Sequence, residues 1–265
     1  MPDFVVSADG TRLAVREQGN PAGPTIVCVH GFPDTSTMWD GVARELTPDF
    51  RVITYDARGA GRSDRPKAIQ AYRLERLAED LKAVGVKEDV HIIAHDWGST
   101  QVWHALANGL RAASFTSIAG PDLGRAQAWM GTHRIHRQSM SSSYMLLFQV
   151  PGAAELVSRI GLLGALINMV DPSHRGHLIH HEDVRHGLKL YRANIFAKYP
   201  AAGAITTPVQ VIAPSRDPFV GVDIQTVQGV ALHAVREGHW VPLTNPRFVA
   251  DRAREFIGGT MSRAT

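Results

Sequence analysis

The run Val90-His91-Ile92-Ile93-Ala94 is apolar and short enough for a buried parallel strand, and Ser99 to Leu110 reads as a helix. Between them lies Ala94-His95-Asp96-Trp97-Gly98, which reads as a tight small-x-nucleophile-x-small turn after an apolar strand. Small residues at Ala94 and Gly98 let strand and helix pass closely. Asp96 is then pushed out at the carboxyl end of the strand, where such sheets place ligands. Taken alone, the motif also reads as an ordinary junction with Asp96 as a helix N-cap. A carboxylate acting as nucleophile attacks carbon and becomes an ester of its own side chain. Its target is therefore an alkylating group, such as a strained epoxide or a carbon–halogen bond. Acyl-transfer esterases, whose turn carries serine, are set aside on that ground.

Other segments decide for the nucleophile. Thr25-Ile26-Val27-Cys28-Val29-His30-Gly31-Phe32-Pro33 is a second β-branched run ending in a glycine turn. Such a turn can aim the Phe32 amide at an oxyanion, with the Trp97 amide as second donor, and losing one such donor costs about 3 kcal/mol in other enzymes. After the strand Arg51 to Tyr55, Asp56-Ala57-Arg58-Gly59-Ala60-Gly61-Arg62-Ser63-Asp64 is glycine-rich. It lacks a Gly-Lys-Ser/Thr ending and a helix opening on the glycines, so it reads as a structural turn and not a phosphate loop. Further on, Pro208 to Ala213 is a buried-strand pattern leading to Pro214-Ser215-Arg216-Asp217-Pro218. Ala231 to Val235 leads to Arg236-Glu237-Gly238-His239-Trp240.

With these segments assembled, the chain resembles the α/β-hydrolase superfamily and, more narrowly, its epoxide hydrolases, over nearly its whole length. His30-Gly31-Phe32-Pro33 is similar to the family's oxyanion motif, Asp56 to Ser63 to its following turn, and His95-Asp96-Trp97-Gly98 to its nucleophile elbow. Two positions depart from the pattern: Ala94, where glycine is commoner, and Asp34, where many relatives place Glu. The resemblance implies a mostly parallel eight-stranded sheet with flanking helices and an inserted α-helical cap. The core is expected over 1–122 and 205–265, and the cap over 123–204, where strand–helix alternation gives way to helical segments ending near Ala204. The order Asp96, Asp217, His239 is the fold's order of nucleophile, acid and histidine, with His239 as general base and Asp217 orienting it. Asp122, after the strand Ser114 to Ala119, stands where related dehalogenases keep the acid, and chain order favours Asp217. Ring opening creates an alkoxide, so an acid must donate to the epoxide oxygen. Tyrosine suits this, since a phenol with pKa about 10 stays protonated beside Asp96. The segments of Tyr144 and Tyr191 resemble those of the family's two lid tyrosines, while Tyr199 reads as a packing residue at the cap exit. Pro33, Met145, Leu147, Phe148, Phe219 and Trp240 are the expected pocket residues, and a lipophilic epoxide plus water the expected partners.

A haloalkane dehalogenase shares the Asp-Trp pair, but halide needs donors such as the Trp97 indole and a second Asn or Trp. Asp34 would repel halide if it faced the pocket. Fluoroacetate-type dehalogenation fits worse, because that family has arginine at the position of Trp97. A catalytically idle ligand-binding homologue is the third reading, against which stand intact Asp96, Asp217 and His239. The histidines 174, 177, 180, 181 and 186 are dense, but no cysteine accompanies them, and a polar cap face is expected instead of a metal site. The reaction needs neither metal nor cofactor.

The remaining features fit a single enzyme domain with 44% hydrophobic and 20% charged residues. Met1-Pro2-Asp3-Phe4 lacks a signal-peptide pattern, and the longest apolar stretch, Gly161 to Val170, is too short to span a bilayer, so a cytoplasmic location is expected. Cys28 lies in a buried strand and reads as inert. A net charge of +3 with scattered basic residues does not point to nucleic acid, and a homodimer is left open. Phe4 to Ser7 and Thr11 to Glu17 read as a hairpin over Asp9-Gly10. Leu74, Leu77, Leu81 and Val84 form a helical stripe, and Asn245-Pro246 starts a last helix bearing Phe248, Phe256 and Ile257. The small polar tail from Gly258 to Thr265 is expected to fray, or to lead to a further domain.

Overall fold

A strand covered on both faces buries nearly every side chain, and Thr25–Val29 (β3), Arg51–Tyr55 (β4), Val90–His95 (β5) and Ser114–Ile118 (β6) do so with apolar residues and with polar ones that find partners, as His91 does in Ser114, Ser117 in Ser99 and Thr116 in Gln210. The computed structural model describes residues 3–133, 138, 142, 144–159, 161–174, 176–200, 203 and 205–264. Met1, Pro2, the expected cap boundary at Ala204 and the terminal Thr265 lie outside the described residues. Asp3–Val6 (β1), Arg12–Gly19 (β2), Val209–Pro214 (β7) and Ala231–Val235 (β8) complete an eight-stranded sheet of order β1-β2-β4-β3-β5-β6-β7-β8. β2 runs antiparallel to β1 and β4, and the pairings from β4 to β8 are parallel. This is the α/β-hydrolase sheet, with the hairpin over Gly10 at one edge.

The described helices are Asp40–Leu46 (α1), Leu74–Ala83 (α2), Trp97–Ala107 (α3), Leu123–Thr132 (α4), Tyr144–Phe148 (α5), Ala153–Arg159 (α6), Leu162–Val170 (α7), His181–Asn194 (α8), Val222–Gln225 (α9), Val241–Thr244 (α10) and Pro246–Ala264 (α11). On one sheet face, Leu81 and Val84 from the α2 segment and Val102 and Trp103 from α3 pack on Val27, Ile92 and Phe115. On the other, Val42 and Leu46 of α1 and Val249, Ala253 and Ile257 of α11 pack on Ile26, Val52, Ile93 and Ile212. A third cluster joins Phe32, Leu74, Leu77 and Trp97 of this core to Phe148, Leu163, Val184, Leu188 and Tyr191 from the helices between β6 and β7. Burying large apolar side chains contributes about 1.5 to 3 kcal/mol each, so the last cluster seats those helices over the carboxyl ends of the strands. Cys28 is fully buried among the second group, and burial pushes its thiol up to about 12. No helix among the described residues is long and apolar enough to cross a membrane.

Two expectations at helix ends need correction. The helix read as Ser99 to Leu110 runs from Trp97 to Ala107 and stops at a Schellman motif, in which Gly109 adopts a φ of 90° and Leu110 N–H donates to Ala105 O at 2.9 Å. The tail does not fray at Gly258. α11 continues to Ala264, anchored by buried Ile257, whose carbonyl accepts the Thr260 hydroxyl.

The glycine-rich turn after β4 is structural, and its stabilising element is Arg58, whose side chain is fully buried. Its guanidinium makes a two-pronged pair with Asp80 at 2.5 and 2.7 Å, and also reaches Asp9 and Ala71 O. Breaking a buried pair by removing one partner leaves an uncompensated charge. Asp80→Asn should therefore lower the unfolding free energy by about 3 kcal/mol in a urea titration, and joint replacement of Arg58 and Asp80 by Met and Leu should recover a large part of it.

Candidate active site

The turn between β5 and α3 holds Asp96 at φ 51° and ψ −124°, a conformation that costs a non-glycine residue roughly 1 to 3 kcal/mol. Its neighbours over-determine it. Asp96 N–H donates to Ile118 O at 3.0 Å, and Asp96 O accepts Thr100 N–H at 2.9 Å. Close packing forces glycine at two nearby positions: a Cβ at Gly98 would sit 2.4 Å from Val29 O, and one at Gly31 would sit 2.4 Å from Asp96 Oδ2. Strand, turn and helix can approach this closely only without those side chains.

The two oxygens of the Asp96 carboxylate face different environments. Oδ2 accepts the Phe32 amide at 2.8 Å, and the Trp97 amide also hydrogen-bonds the carboxylate. Oδ1 lies 3.9 Å from His239 Nε2. On its other side His239 Nδ1 meets Asp217 Oδ2 at 2.7 Å, while Asp217 Oδ1 accepts the amides of Phe219 and Val220 at 2.7 and 2.9 Å. Asp122 is engaged elsewhere, as cap of α4, accepting the Arg125 amide at 2.7 Å. The structure thus brings together Phe32, Asp96, Trp97, Asp217 and His239, with Asp217 as the carboxylate on the imidazole.

Burial pushes the Asp96 carboxyl up, against the pull of His239 and the Trp97 and Phe32 amides. For His239 burial works downward, but it is outweighed by Asp217, then Asp96 and Asp171, and the imidazole is pushed up to about 9. His95 lies tilted against it, with ring centres 4.6 Å apart, and donates from Nε2 to His239 O at 3.0 Å. Burial and the neighbouring His239 hold His95 down to about 3, so it is neutral.

Above the carboxylate lies a mostly apolar chamber of about 200 Å³ reached by Asp96, His239, Tyr144 and Tyr191. Tyr144 opens α5 and Tyr191 lies on α8, their rings 6.3 Å apart. Burial raises both phenols, which also bear on each other through a hydrogen bond, so both stay protonated at neutral pH. The Tyr191 ring stands edge-on to Trp97, Phe32 and Phe148 at 4.9 to 5.3 Å.

The family described as alpha/beta hydrolase fold matches residues 24–142. "Probable oxidoreductase EphD" of Mycobacterium tuberculosis is 38% identical over 292 residues, spanning 97% of this chain and 49% of that protein. "Epoxide hydrolase A" of the same organism is 37% identical over 158 residues, spanning 57% of this chain and 48% of that protein. A solved structure described as a novel epoxide hydrolase from metagenomes of hot environments is 25% identical, with a TM-score of 0.79 over 97% of this chain and 98% of that one. The epoxide hydrolase of Bacillus megaterium in complex with an inhibitor, 21% identical, has a TM-score of 0.80 over 97% and 100%, a likeness of fold. This chain is an α/β-hydrolase, with epoxide hydrolases among its relatives. It spans about half the length of the two curated relatives.

Within this α/β-hydrolase, Pro33, Leu147, Phe148, Phe219 and Trp240 line the chamber as expected. Met145 does not. It packs into the cluster around Phe148 and Tyr191, since α5 turns Tyr144 and Leu147 toward the cavity. The residues missed are Leu163, Leu166, Ile167 and Val170 of α7, whose i, i+3, i+4, i+7 spacing was a readable signal. Leu147, Leu166 and Val170 are 52, 38 and 53% exposed, which places them at the chamber mouth. Tyr199 packs outside, donating to Asn194 Oδ1 at 2.6 Å.

Asp34 does not face the chamber either. It is buried behind Trp240, accepting the indole N–H at 2.8 Å and pairing with His174 at 3.3 Å. Burial raises its carboxyl, but His174 and His177 prevail and hold it near about 2. The proposed repulsion of halide by Asp34 is therefore withdrawn. The dense histidines are likewise no single polar face: His174 is fully buried and His186 nearly so, beside Tyr72.

A histidine titrates near 6.5 unfolded and His239 at about 9 folded, so its pairing stabilises fully below the first value and is lost as pH rises through the second. Across that window the unfolding free energy should fall by about 3 kcal/mol in the native chain but not in His239→Gln, measured by urea unfolding at a series of pH values.

Proposed function

We propose that this hydrolase converts a lipophilic epoxide to a vicinal diol in two steps, through an ester on Asp96. The observation that carries the reading is the division of labour within one chamber-lining carboxylate: Oδ2 is fixed by the Phe32 amide, while Oδ1 lies on the side of His239. Oδ1 attacks the less hindered epoxide carbon as the C–O bond breaks. Tyr144 and Tyr191 donate to the leaving oxygen, which becomes the free hydroxyl of a hydroxyalkyl ester.

Esterification removes the Asp96 charge, one of the groups that hold His239 up, so the imidazole pKa falls and the ring gives up its proton more readily to reach the neutral form that can act as base. Neutral His239 then takes a proton from water as the oxygen attacks the Asp96 carboxyl carbon. The new oxyanion forms on Oδ2, at the Phe32 and Trp97 amides. Collapse expels the Oδ1 oxygen with the product, to which His239 passes its proton; the Asp96 carboxyl gives its remaining proton back to the tyrosine that protonated the epoxide oxygen, and the diol leaves. Residues 123–204 we read as the cap over a core of 1–122 and 205–265. This reading is supported by β6 and β7 lying side by side where the chain leaves and returns.

His239→Gln keeps the nucleophile and loses the base, so intact-mass spectrometry should find one epoxide adduct that maps to Asp96 and persists. An adduct on Cys28, or none, would overturn the assignment. With the native chain in heavy-oxygen water, the first-turnover diol should carry light oxygen from Asp96. Halide release from haloalkanes faster than epoxide opening would point to a dehalogenase instead.

The phenols share one task. Tyr144→Phe or Tyr191→Phe should each slow alkylation by about one to two decades, the worth of a hydrogen bond to developing charge, and the double change should nearly silence it in single-turnover kinetics.

A further inference from the structure

The segment that follows α7 reaches down to the loop of His239. Asp171, 4% exposed, lies directly after chamber-lining Val170, and its N–H closes the helix on Ile167 O at 2.7 Å. Its Oδ2 accepts the His239 amide at 2.6 Å, and its Oδ1 accepts the Ser173 amide at 2.9 Å. Ser173 Oγ in turn accepts the Trp240 amide at 3.2 Å. The loop is shaped for this contact: a Cβ on Gly238 would stand 2.4 Å from Asp171 Oδ1 and 2.7 Å from Ser173 Oγ. No residue but glycine leaves room for the carboxylate there.

We propose that Asp171 is a positioning residue for His239, tying the water-activating half of the reaction to the helix that lines the substrate chamber. The inference rests on the two-step reading above and deepens it. Asp171 touches no reacting atom. It fixes the backbone from which the imidazole projects, and adds its charge to those of Asp217 and Asp96 around the ring, against which neutral His95 and the Phe219 and Trp240 rings also pack. Alkylation draws on Asp96, Tyr144 and Tyr191, none of which Asp171 holds. Ester hydrolysis draws on His239, which it does. The effect of its loss should therefore divide between the steps.

An asparagine keeps the shape but offers an N–H₂ group to one of two amide donors, so one hydrogen bond becomes a repulsion. Asp171→Asn should leave single-turnover alkylation within about twofold while slowing ester hydrolysis roughly ten- to a hundredfold, as misplacement of a reacting group does. Intact-mass spectrometry would then show the Asp96 ester accumulating. The pH midpoint of hydrolysis should move to lower pH, because a charge that favours the imidazolium is gone. Gly238→Ala, which displaces the same carboxylate from the other side, should show the same split, and Asp171→Glu should recover part of the rate. Equal slowing of both steps, or unchanged hydrolysis, overturns the proposal. A native chain that forms no ester would refute the functional reading instead. The His239 imidazole, followed by NMR titration in native and Asp171→Asn protein, then decides: a lower midpoint in the variant upholds the positioning role, and an unmoved one overturns it.

Discussion

The hydrogen bond from the Phe32 amide to Asp96 Oδ2 organises everything around it. It requires β3 and β5 to lie side by side, Gly31 to lack a side chain, and the Asp96 backbone to stay in a left-handed conformation that no helix or strand would select. Local sequence alone does not supply the roughly 1 to 3 kcal/mol that this conformation costs; the buried sheet and the packing of α3 do. A flexible aspartate could present either oxygen to an electrophile. This one has Oδ2 held by the Phe32 amide and Oδ1 on the side of His239, the arrangement on which the proposed two-step reaction draws.

A second consequence follows from burial. Excluding water raises the Asp96 carboxyl and would lower His239, yet the carboxylates around the imidazole reverse the latter. The site therefore holds a charged acid and base together at the cost of conformational freedom on every side: Asp217 is held by two amides, His95 is kept neutral, and Asp171 grips the loop backbone. Stability and the proposed reactivity are set by the same few buried groups.

The parts legible in the sequence were those written in contiguous patterns. Apolar strands ending in loops placed Asp96, Asp217 and His239, and the glycine turn placed Phe32, because a buried parallel strand and the turn after it occupy neighbouring residues. Side-chain facing within short helices was harder. Met145 and Leu147 are two apart, and only the orientation of α5 decides which meets the cavity, whereas the regular spacing in α7 is plain in the sequence but does not say which cavity it lines. Long-range polar pairs left no trace. His174 meets Asp34 across 140 positions and His239 meets Asp171 across 68, through a side chain in one case and a backbone amide in the other, and neither partner repeats with any period.

The exposed leucines and valine at the chamber mouth bear on the direction of traffic. Leu147, Leu166 and Val170 present hydrocarbon to solvent at the threshold, so a strained ether with a greasy substituent gains by leaving water there. The diol carries two hydroxyls that such a doorway cannot satisfy, each costing about 1 to 3 kcal/mol when left unpaired. For the proposed reaction, hydration would then favour departure of the diol as hydrophobicity favours arrival of the epoxide, through the same aperture.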